Sequence, residues 1–145
     1  RWEIVAVDDG STDATPALLE ALAGREPRVR VVRFPRNRGQ DRALWAGLQA
    51  ARGAWILTMD GDGQNPPEAL PGLLEAAREE GADVVCGWRR DRHDSGPRRV
   101  MSRLANAVRS RFLGDGLHDG GCQLRVLRRP VLGALREVDM LQAFV

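Results

Sequence analysis

Short strand-like runs alternate with helical patterns along almost the whole chain, and this alternation limits the fold more than any other feature. The central run 54–59 is apolar on both faces, as expected for a strand inside a parallel sheet. Alternation of this kind indicates βαβ units with right-handed crossovers. We therefore predict an α/β fold with a mostly parallel sheet and helices on both faces, in three α/β/α layers. Predicted strands cover 3–7, 29–33, 54–59, 83–88 and 122–127, and predicted helices cover 14–23, 39–52, 66–80, 99–113 and 130–137.

Capping and turn residues mark the ends of several predicted helices. Asp13 suits the N-cap position of the first predicted helix, and Gly24 is expected to end it. Pro66 and Pro67 are expected to open a later helix, because proline is tolerated in a first turn. The arginine-rich stretch 89–98 is predicted to be a long irregular loop, and such loops are often functional lids.

Length, charge and cysteine content exclude several classes of protein. The chain has 145 residues, and we predict a single domain over 1–145. All 22 basic residues are arginine, against 20 acidic residues, so the net charge of +2 does not indicate a nucleic-acid binder. A Walker-type phosphate loop is excluded because it needs a lysine. No apolar run approaches the roughly 18 residues of a transmembrane helix. Cys86 and Cys122 lack ligand-spaced partners, which indicates reduced thiols in a cytosolic protein.

The first acidic cluster is the segment VDDGSTD at 7–13, which follows the first predicted strand. In an open parallel sheet, ligands bind outside the carboxyl ends of the strands. One interpretation is that Asp8 and Asp9 accept hydrogen bonds from a nucleobase or a ribose. The other is an Asx-type turn that caps the next helix, which Gly10, Ser11 and Asp13 suit. Both can hold, with different residues in each role.

The second acidic cluster is the segment TMDGDGQ at 58–64, which follows the apolar third strand. Asp60 and Asp62 can share a divalent cation, and their oxygen ligands favour Mg²⁺ or Mn²⁺. Such a cation neutralises the charge that builds up when a nucleoside diphosphate leaves a sugar. A solvated turn is the alternative, given the glycines. An EF-hand calcium loop is excluded at both clusters, because Ala14 and Asn65 occupy the positions of the required glycine.

Two further candidates lie in the second half of the chain. Asp119, in a glycine-rich turn, could orient an acceptor or stabilise charge at a sugar. Arg89 directly follows the fourth predicted strand, where its guanidinium could bind a diphosphate through two N–H groups. The Gly-x-Gly pairs at 61/63 and 114/116 lack a third glycine at the required spacing, so the Rossmann dinucleotide fingerprint is absent.

Taken in order along the chain, these motifs resemble family 2 glycosyltransferases of the GT-A fold. The resemblance is closest to the branch that transfers sugars to dolichyl or polyprenyl phosphate, and five segments in register make it specific. The segments are VDDGSTDAT at 7–15, NRGQDRALWAG at 37–47, MDGDGQNPPE at 59–68, VVCGWRRDR at 84–92 and DGGCQLRVLRR at 119–129. Gly61 and Gly63 stand where the family more often has Ala and Leu, which loosens the loop but removes no carboxylate.

The resemblance implies that one set of residues contacts the base, ribose or diphosphate of a nucleotide-sugar donor. The set consists of Asp8, Asp9, Asp60, Gly61, Asp62, Gln64 and Arg89. Within it, Asp60 and Asp62 would also hold the Mg²⁺ or Mn²⁺. Asp119 would lie at the reaction centre.

The resemblance also implies a function for the whole protein. It implies metal-dependent transfer of a sugar from a UDP- or GDP-linked donor to a polyprenyl or dolichyl phosphate, with inversion, at the cytoplasmic face of a membrane. Family members carry a further strand before this point and often membrane helices after it, so we expect the GT-A domain to be incomplete at both ends. One alternative is a family 2 transferase acting on a polysaccharide, protein or small-molecule hydroxyl. Another is a non-catalytic nucleotide-sugar-binding module.

Overall fold

The computed structural model describes residues 1–63, 65–87 and 122–137. The chain divides into two compact units. The first unit comprises Arg1–Ile56 and Arg128–Val145, and the second comprises Leu57–Leu127. Within the described part, no helix is both long enough and apolar enough to cross a membrane. The predicted loop 89–98 and the predicted helix 99–113 lie outside the described residues.

The first unit begins with a strand–helix–strand–helix segment. Its elements are β1 (Ile4–Asp8), α1 (Thr15–Arg25), β2 (Val29–Arg33) and α2 (Gln40–Ala50). The two strands pair in parallel, which confirms the first βαβ unit that the alternation predicted. The register places Asp8 opposite Arg33, so the carboxyl ends of β1 and β2 lie side by side. The loops that leave both strands therefore start from the same edge of the sheet.

Close packing between β1 and α2 fixes this edge. A Cβ added at Gly47 of α2 would lie 3.0 Å from Cγ2 of Val7, so the glycine lets the helix approach the strand. The neighbouring Leu48 is 2% exposed, and Val29 of β2 is 5% exposed. Burial of one such side chain stabilises the fold by about 1.5–3 kcal/mol.

Two arginine side chains hold the end of α2. Arg30 donates a hydrogen bond of 3.0 Å to the carbonyl oxygen of Ala50. Arg129 donates to the carbonyl oxygen of Ala51, just before α4 (Val131–Glu137). The last carbonyls of a helix have no partner within it, so the two guanidinium groups satisfy acceptors that the helix leaves open.

The described residues of the second unit include a short sheet and an α-helix. Its elements are β3 (Trp55–Thr58), which begins in the first unit, a 3₁₀ turn (Pro67–Ala69), α3 (Leu70–Glu79), β4 (Val84–Cys86) and β5 (Arg125–Arg128), which ends in the first unit. The sheet order is β3-β5-β4. β4 and β5 are antiparallel, with Val84 opposite Leu127, so this pair departs from the parallel arrangement expected for most of the sheet. The apolar pattern of three or four residues carries no information on strand direction.

The C-terminal end of α1 differs slightly from its prediction. The helix continues past Gly24 and ends where Glu26 becomes extended, with φ −123° and ψ 101°. Pro27 explains this position, because a proline disfavours helical geometry in the residue before it. The stop therefore comes from the proline rather than from the glycine.

The N-terminal ends of two helices also differ from their predictions. Ala14, not Asp13, occupies the N-cap position of α1. Asp13 still accepts a hydrogen bond of 2.9 Å from the backbone N–H of Thr15, so its side chain satisfies one donor of the first turn. The two prolines 66 and 67 precede a 3₁₀ turn, and α3 starts only after it.

Candidate functional site

The first acidic loop, residues 8–13, leaves the carboxyl end of β1. Asp8 is 2% exposed, and its Oδ1 accepts a hydrogen bond of 2.9 Å from the backbone N–H of Ser11. Hydrogen bonds from the side chain and the backbone of Ser11 lower the pKa of the Asp8 carboxyl below its usual value. This contact spans three residues, one more than in an Asx turn. The Asx-type turn that was one of the two interpretations of the segment is made by Asp13, which accepts a hydrogen bond from the backbone N–H of Thr15 two residues on. A contact between Asp8 and a nucleotide stays a prediction.

The other carboxylate oxygen of Asp8 is buried and accepts no hydrogen bond from the described residues. The Nε atom of Arg33 lies 3.4 Å from this oxygen, with its side chain 52% exposed. The Asp8 charge is thus balanced by a guanidinium that reaches it from the solvent side. This pair fixes the end of β2 next to the start of the first acidic loop.

Asp9 joins the first acidic loop to the loop between β2 and α2, residues 34–39. Its Oδ1 accepts a hydrogen bond of 2.7 Å from the backbone N–H of Arg38, and its Oδ2 accepts one of 2.9 Å from Gly39. Gly39 occupies the N-cap position of α2 with a φ of 94°. We call this arrangement the Asp9 clasp. Hydrogen bonds to an ionised carboxylate are stronger than neutral ones, so the clasp orders both loops.

Gly10 allows the two loops to meet. A Cβ at this position would lie 2.3 Å from the carbonyl carbon of Arg36 and 2.5 Å from the backbone nitrogen of Asn37. Its φ of 76° also lies in the left-handed region that favours glycine. Only glycine fits here without movement of the backbone, so the Asp9 clasp depends on this residue.

The second acidic loop, residues 59–63, leaves β3 in the second unit. Asp60 is partly buried, whereas Asp62 and the glycines beside it are exposed. Gly63 has a φ of 77°, which turns the chain back toward the buried Asn65, a residue 6% exposed. A carboxylate at Asp62 is thereby presented to solvent at the end of a buried strand.

The two carboxylates of the second acidic loop suit a cation that arrives with its substrate. Over 1–63, 65–87 and 122–137, no group of three or more His, Cys, Asp and Glu side chains is placed to hold a metal. Asp60 and Asp62 provide hard oxygen ligands. Mg²⁺ commonly binds through one or two carboxylates together with substrate phosphates and water. The side chains present therefore fit Mg²⁺ or Mn²⁺ completed by a diphosphate.

Gln123 was assigned no role from the sequence, although it stands between two buried apolar residues. Its backbone carbonyl accepts a hydrogen bond of 2.6 Å from the hydroxyl of Thr58, the last residue of β3. Its side-chain Oε1 is buried and accepts no hydrogen bond from the described part of the chain. An uncharged polar residue between two apolar residues of a predicted strand is the signal that could have identified it.

Three predicted site residues lie outside the described residues: Gln64, Arg89 and Asp119. The remaining ones fall into separate units. Asp8 and Asp9 belong to the first unit, whereas Asp60, Gly61 and Asp62 belong to the second. Their predicted roles toward a donor stay predictions.

Comparison with known proteins assigns the chain to a family. The family model described as Glycosyl transferase family 2 matches residues 1–136. The chain is 39% identical to dodecaprenyl-phosphate galacturonate synthase of Rhizobium johnstonii, over 100% of this chain and 44% of that protein. It is 46% identical to undecaprenyl-phosphate 4-deoxy-4-formamido-L-arabinose transferase of Pseudomonas aeruginosa, over 92% of this chain and 40% of that protein. The chain thus spans less than half the length of these curated relatives.

Solved structures show the same fold. Glucosyl-3-phosphoglycerate synthase from Mycobacterium tuberculosis, in complex with phosphoglyceric acid, matches with a TM-score of 0.67 and 25% identity. The match covers 90% of this chain and 47% of that one. A complex of the same enzyme with Mn²⁺, uridine-diphosphate-glucose and phosphoglyceric acid matches with a TM-score of 0.64 and 26% identity, over 88% of this chain and 46% of that one. These matches confirm the expected GT-A fold and the family resemblance.

Proposed function

This chain belongs to glycosyl transferase family 2, and we propose that it is the donor-binding part of an enzyme that glycosylates a polyprenyl phosphate. The observation that carries the proposal is the identity of 39–46% to two enzymes whose names specify that acceptor class. The second acidic loop supports it, because it offers the two carboxylates that the family resemblance assigns to the metal and the diphosphate. We propose further that both units belong to one catalytic domain.

A UDP- or GDP-linked sugar is the donor under this proposal. Asp60 and Asp62 would hold Mg²⁺ or Mn²⁺ together with the diphosphate, and the family resemblance implies that Gly61 and Gln64 would line the same pocket. Support for the cation comes from the solved relative whose complex contains Mn²⁺ and uridine-diphosphate-glucose. A bound divalent cation would stabilise the charge that develops on the departing diphosphate.

The reaction consists of one displacement at the anomeric carbon. A phosphate oxygen of the lipid attacks that carbon, the bond from the carbon to the diphosphate oxygen breaks, and the nucleoside diphosphate leaves with the electron pair. Attack from the opposite face inverts the configuration. Arg89 would bind the donor phosphates, and donors aimed at developing charge are an effective catalytic device. Because a lipid phosphate is already anionic, it needs no general base.

Asp119 has a different role for each acceptor. Beside a lipid phosphate it would orient the attacking group. If the acceptor were instead a hydroxyl of a polysaccharide, a protein or a small molecule, Asp119 would remove its proton. A polyprenyl phosphate is a membrane lipid, so we propose that the whole protein acts at the cytoplasmic face of a membrane.

The Asp9 clasp supports different roles for Asp8 and Asp9 in the proposed donor site. Both oxygens of Asp9 already accept hydrogen bonds from backbone N–H groups, at 2.7 and 2.9 Å. Each carboxylate oxygen retains a second lone pair, so Asp9 can hold the loop and still accept a hydrogen bond from a base or a ribose. Asp8 is buried and would hold the backbone of the loop that carries Asp9, through its hydrogen bond from Ser11.

The test is calorimetric titration of UDP-glucose and GDP-mannose into this chain, with and without Mn²⁺. We expect one donor to bind only with the metal, and Asp62→Ala to weaken binding at least about tenfold, because losses around a metal site commonly cost 10- to 100-fold. Glu75→Ala is the matched control, since Glu75 is an exposed carboxylate on α3. Equal binding by Asp62→Ala and Glu75→Ala would exclude the second acidic loop as the metal and diphosphate site. Binding without turnover of a polyprenyl phosphate by the longer protein would favour the non-catalytic alternative.

A further inference from the structure

One polar atom near the second acidic loop has no partner among the described residues. The Oε1 atom of Gln123 is buried and accepts no hydrogen bond from them, although it is an amide oxygen with two lone pairs. Nearly all buried polar atoms in native proteins are hydrogen-bonded, and an exception calls for an explanation such as a ligand. An acceptor kept in this state costs stability in the ligand-free protein.

Two hydrogen bonds anchor the backbone at and beside Gln123, and this limits where its Oε1 atom can lie. The Thr58 hydroxyl donates a hydrogen bond of 2.6 Å to its carbonyl oxygen. The backbone N–H of Gly87 donates one of 2.8 Å to the carbonyl oxygen of the next residue, Leu124. Cys122 and Leu124, on either side of Gln123, are 1% and 5% exposed. The anchored apolar neighbours leave the Gln123 backbone little freedom to move.

The hydrogen bond from Thr58 also connects Gln123 to the second acidic loop, which carries the proposed metal ligands. Thr58 ends β3, and Asp60 follows two residues later in the same unit. Because Thr58 is bonded to the Gln123 backbone, a ligand whose diphosphate binds Asp60 and Asp62 would lie beside the segment that carries Gln123. In a nucleotide sugar, the group attached to the far side of the diphosphate is the sugar.

The Oε1 atom of Gln123 is a neutral carbonyl oxygen, and this limits which part of the donor it can contact. Such an oxygen repels phosphate oxygens, which are acceptors too, and it accepts hydrogen bonds from hydroxyl groups. We propose that Gln123 is a specificity-determining residue whose Oε1 accepts a hydrogen bond from a hydroxyl of the transferred sugar. This inference rests on the proposed function, because it assumes that the second acidic loop binds a sugar diphosphate.

The test replaces Gln123 by an apolar residue of similar length. Gln123→Met is titrated with UDP-glucose and with UDP, each with Mn²⁺, or with GDP-mannose and GDP if that base binds. Gln49→Met, at an exposed position of α2, is the matched control. We expect Gln123→Met to weaken binding of the nucleotide sugar about 5- to 100-fold, because the sugar hydroxyl loses its acceptor. Binding of the nucleoside diphosphate should not change.

A second readout separates ligand binding from a structural role. Because no described residue donates a hydrogen bond to Oε1, the melting temperature of Gln123→Met should equal or exceed that of the unsubstituted chain. Gln123→Glu keeps an acceptor oxygen at the same reach, so it should retain more affinity for the nucleotide sugar than Gln123→Met does.

Each other outcome overturns the inference in a recognisable way. Equal weakening of both ligands would place Gln123 at the cation or the diphosphate rather than at the sugar. A large fall in melting temperature would show a structural role. Unchanged binding of both ligands by Gln123→Met would contradict this inference and leave the proposed function intact. Absence of binding of either ligand by the longer, unsubstituted protein would overturn both.

Discussion

Two acidic loops leave strands of this protein, and they differ in how exposed their carboxylates are. In the first acidic loop, Asp8 is buried and Asp9 accepts hydrogen bonds from two backbone N–H groups of another loop. In the second, Asp62 is exposed, and Gly61 and Gly63 have no described neighbour where a Cβ would lie. Both loops are short segments in which aspartate and glycine follow a strand.

The difference shows that acidic loops of similar sequence can have different structural roles. The first acidic loop is a scaffold, because its carboxylates order the backbone before any ligand arrives. The second acidic loop is exposed, so under the proposed function it could adjust to a cation that comes with a diphosphate. Pre-ordering of a loop lowers the cost of binding a ligand to it.

The largest expected effect is the loss of stability in Gly10→Ala. A methyl group would lie 2.3 Å from the backbone of Arg36, and the φ of 76° is strained for alanine. The left-handed conformation alone costs about 1–2 kcal/mol, and the clash should raise the total to about 3 kcal/mol or more. Urea unfolding of the chain measures this change.

Gly24→Ala is the control for that experiment. Gly24 lies in α1 without a positive φ, and a methyl group added there would meet no described atom within 4 Å. Alanine should stabilise the helix by up to about 1 kcal/mol. Similar unfolding midpoints for the two variants would show that the contact between the loops is absent in solution.

The next largest expected effect is the loss of stability in Asp9→Ala, which we compare with that in Asp62→Ala. Asp9→Ala removes two charge-assisted hydrogen bonds, so we expect a loss of about 1–2 kcal/mol in the free energy of unfolding. The amides of Arg38 and Gly39 should then exchange faster with solvent, which NMR measures residue by residue. Asp62→Ala, at an exposed position, should lose less stability than Asp9→Ala. The contrast between a scaffold and an adjustable loop fails if Asp62→Ala is the more destabilised variant.

The pH dependence of the first acidic loop gives a third test. Because Ser11 lowers the pKa of Asp8 below 3.8, the ionised carboxylate contributes stability at and above pH 3.8 that is lost as the pH falls through the folded-state value. Ser11→Ala removes the hydroxyl hydrogen bond, so the pKa of Asp8 should rise toward 3.8. Carboxyl NMR titration follows this change. Thr12→Ala, at an exposed neighbour, should leave the titration of Asp8 unaltered, and a rise of equal size there would assign the effect to general disturbance of the loop.

Much of the fold could be predicted because apolar periodicity reports directly on local structure. The predicted second strand 29–33 coincides with β2, and the other described strands differ from their predictions by a few residues. Strand direction in the second unit could not be predicted, because β4 and β5 are too short for their pattern to indicate whether they run parallel.

The candidate site could be predicted in its residue types but not in its contacts. The sequence identified Asp9 and Gly10 as residues of a strand-exit turn. The partners of Asp9, Arg38 and Gly39, lie 29 and 30 residues away, and a pairing at that separation depends on how β1 and β2 align. The buried oxygen of Gln123 is likewise a result of tertiary packing, which no local pattern encodes.

The smallest expected effect distinguishes the two glycines of the second acidic loop. Both have open space at the Cβ position among the described residues, but only Gly63 has a positive φ, of 77°. Gly63→Ala should therefore cost about 1 kcal/mol, because alanine resists the left-handed conformation, whereas Gly61→Ala should stay within about 0.5 kcal/mol. In calorimetric titration with Mn²⁺, Gly63→Ala should also weaken donor binding a few-fold, since it moves the backbone that presents Asp62. If both variants match the unsubstituted chain in stability and in binding, the turn at Gly63 does not position Asp62. The second acidic loop would then tolerate changes in its backbone that the first acidic loop does not.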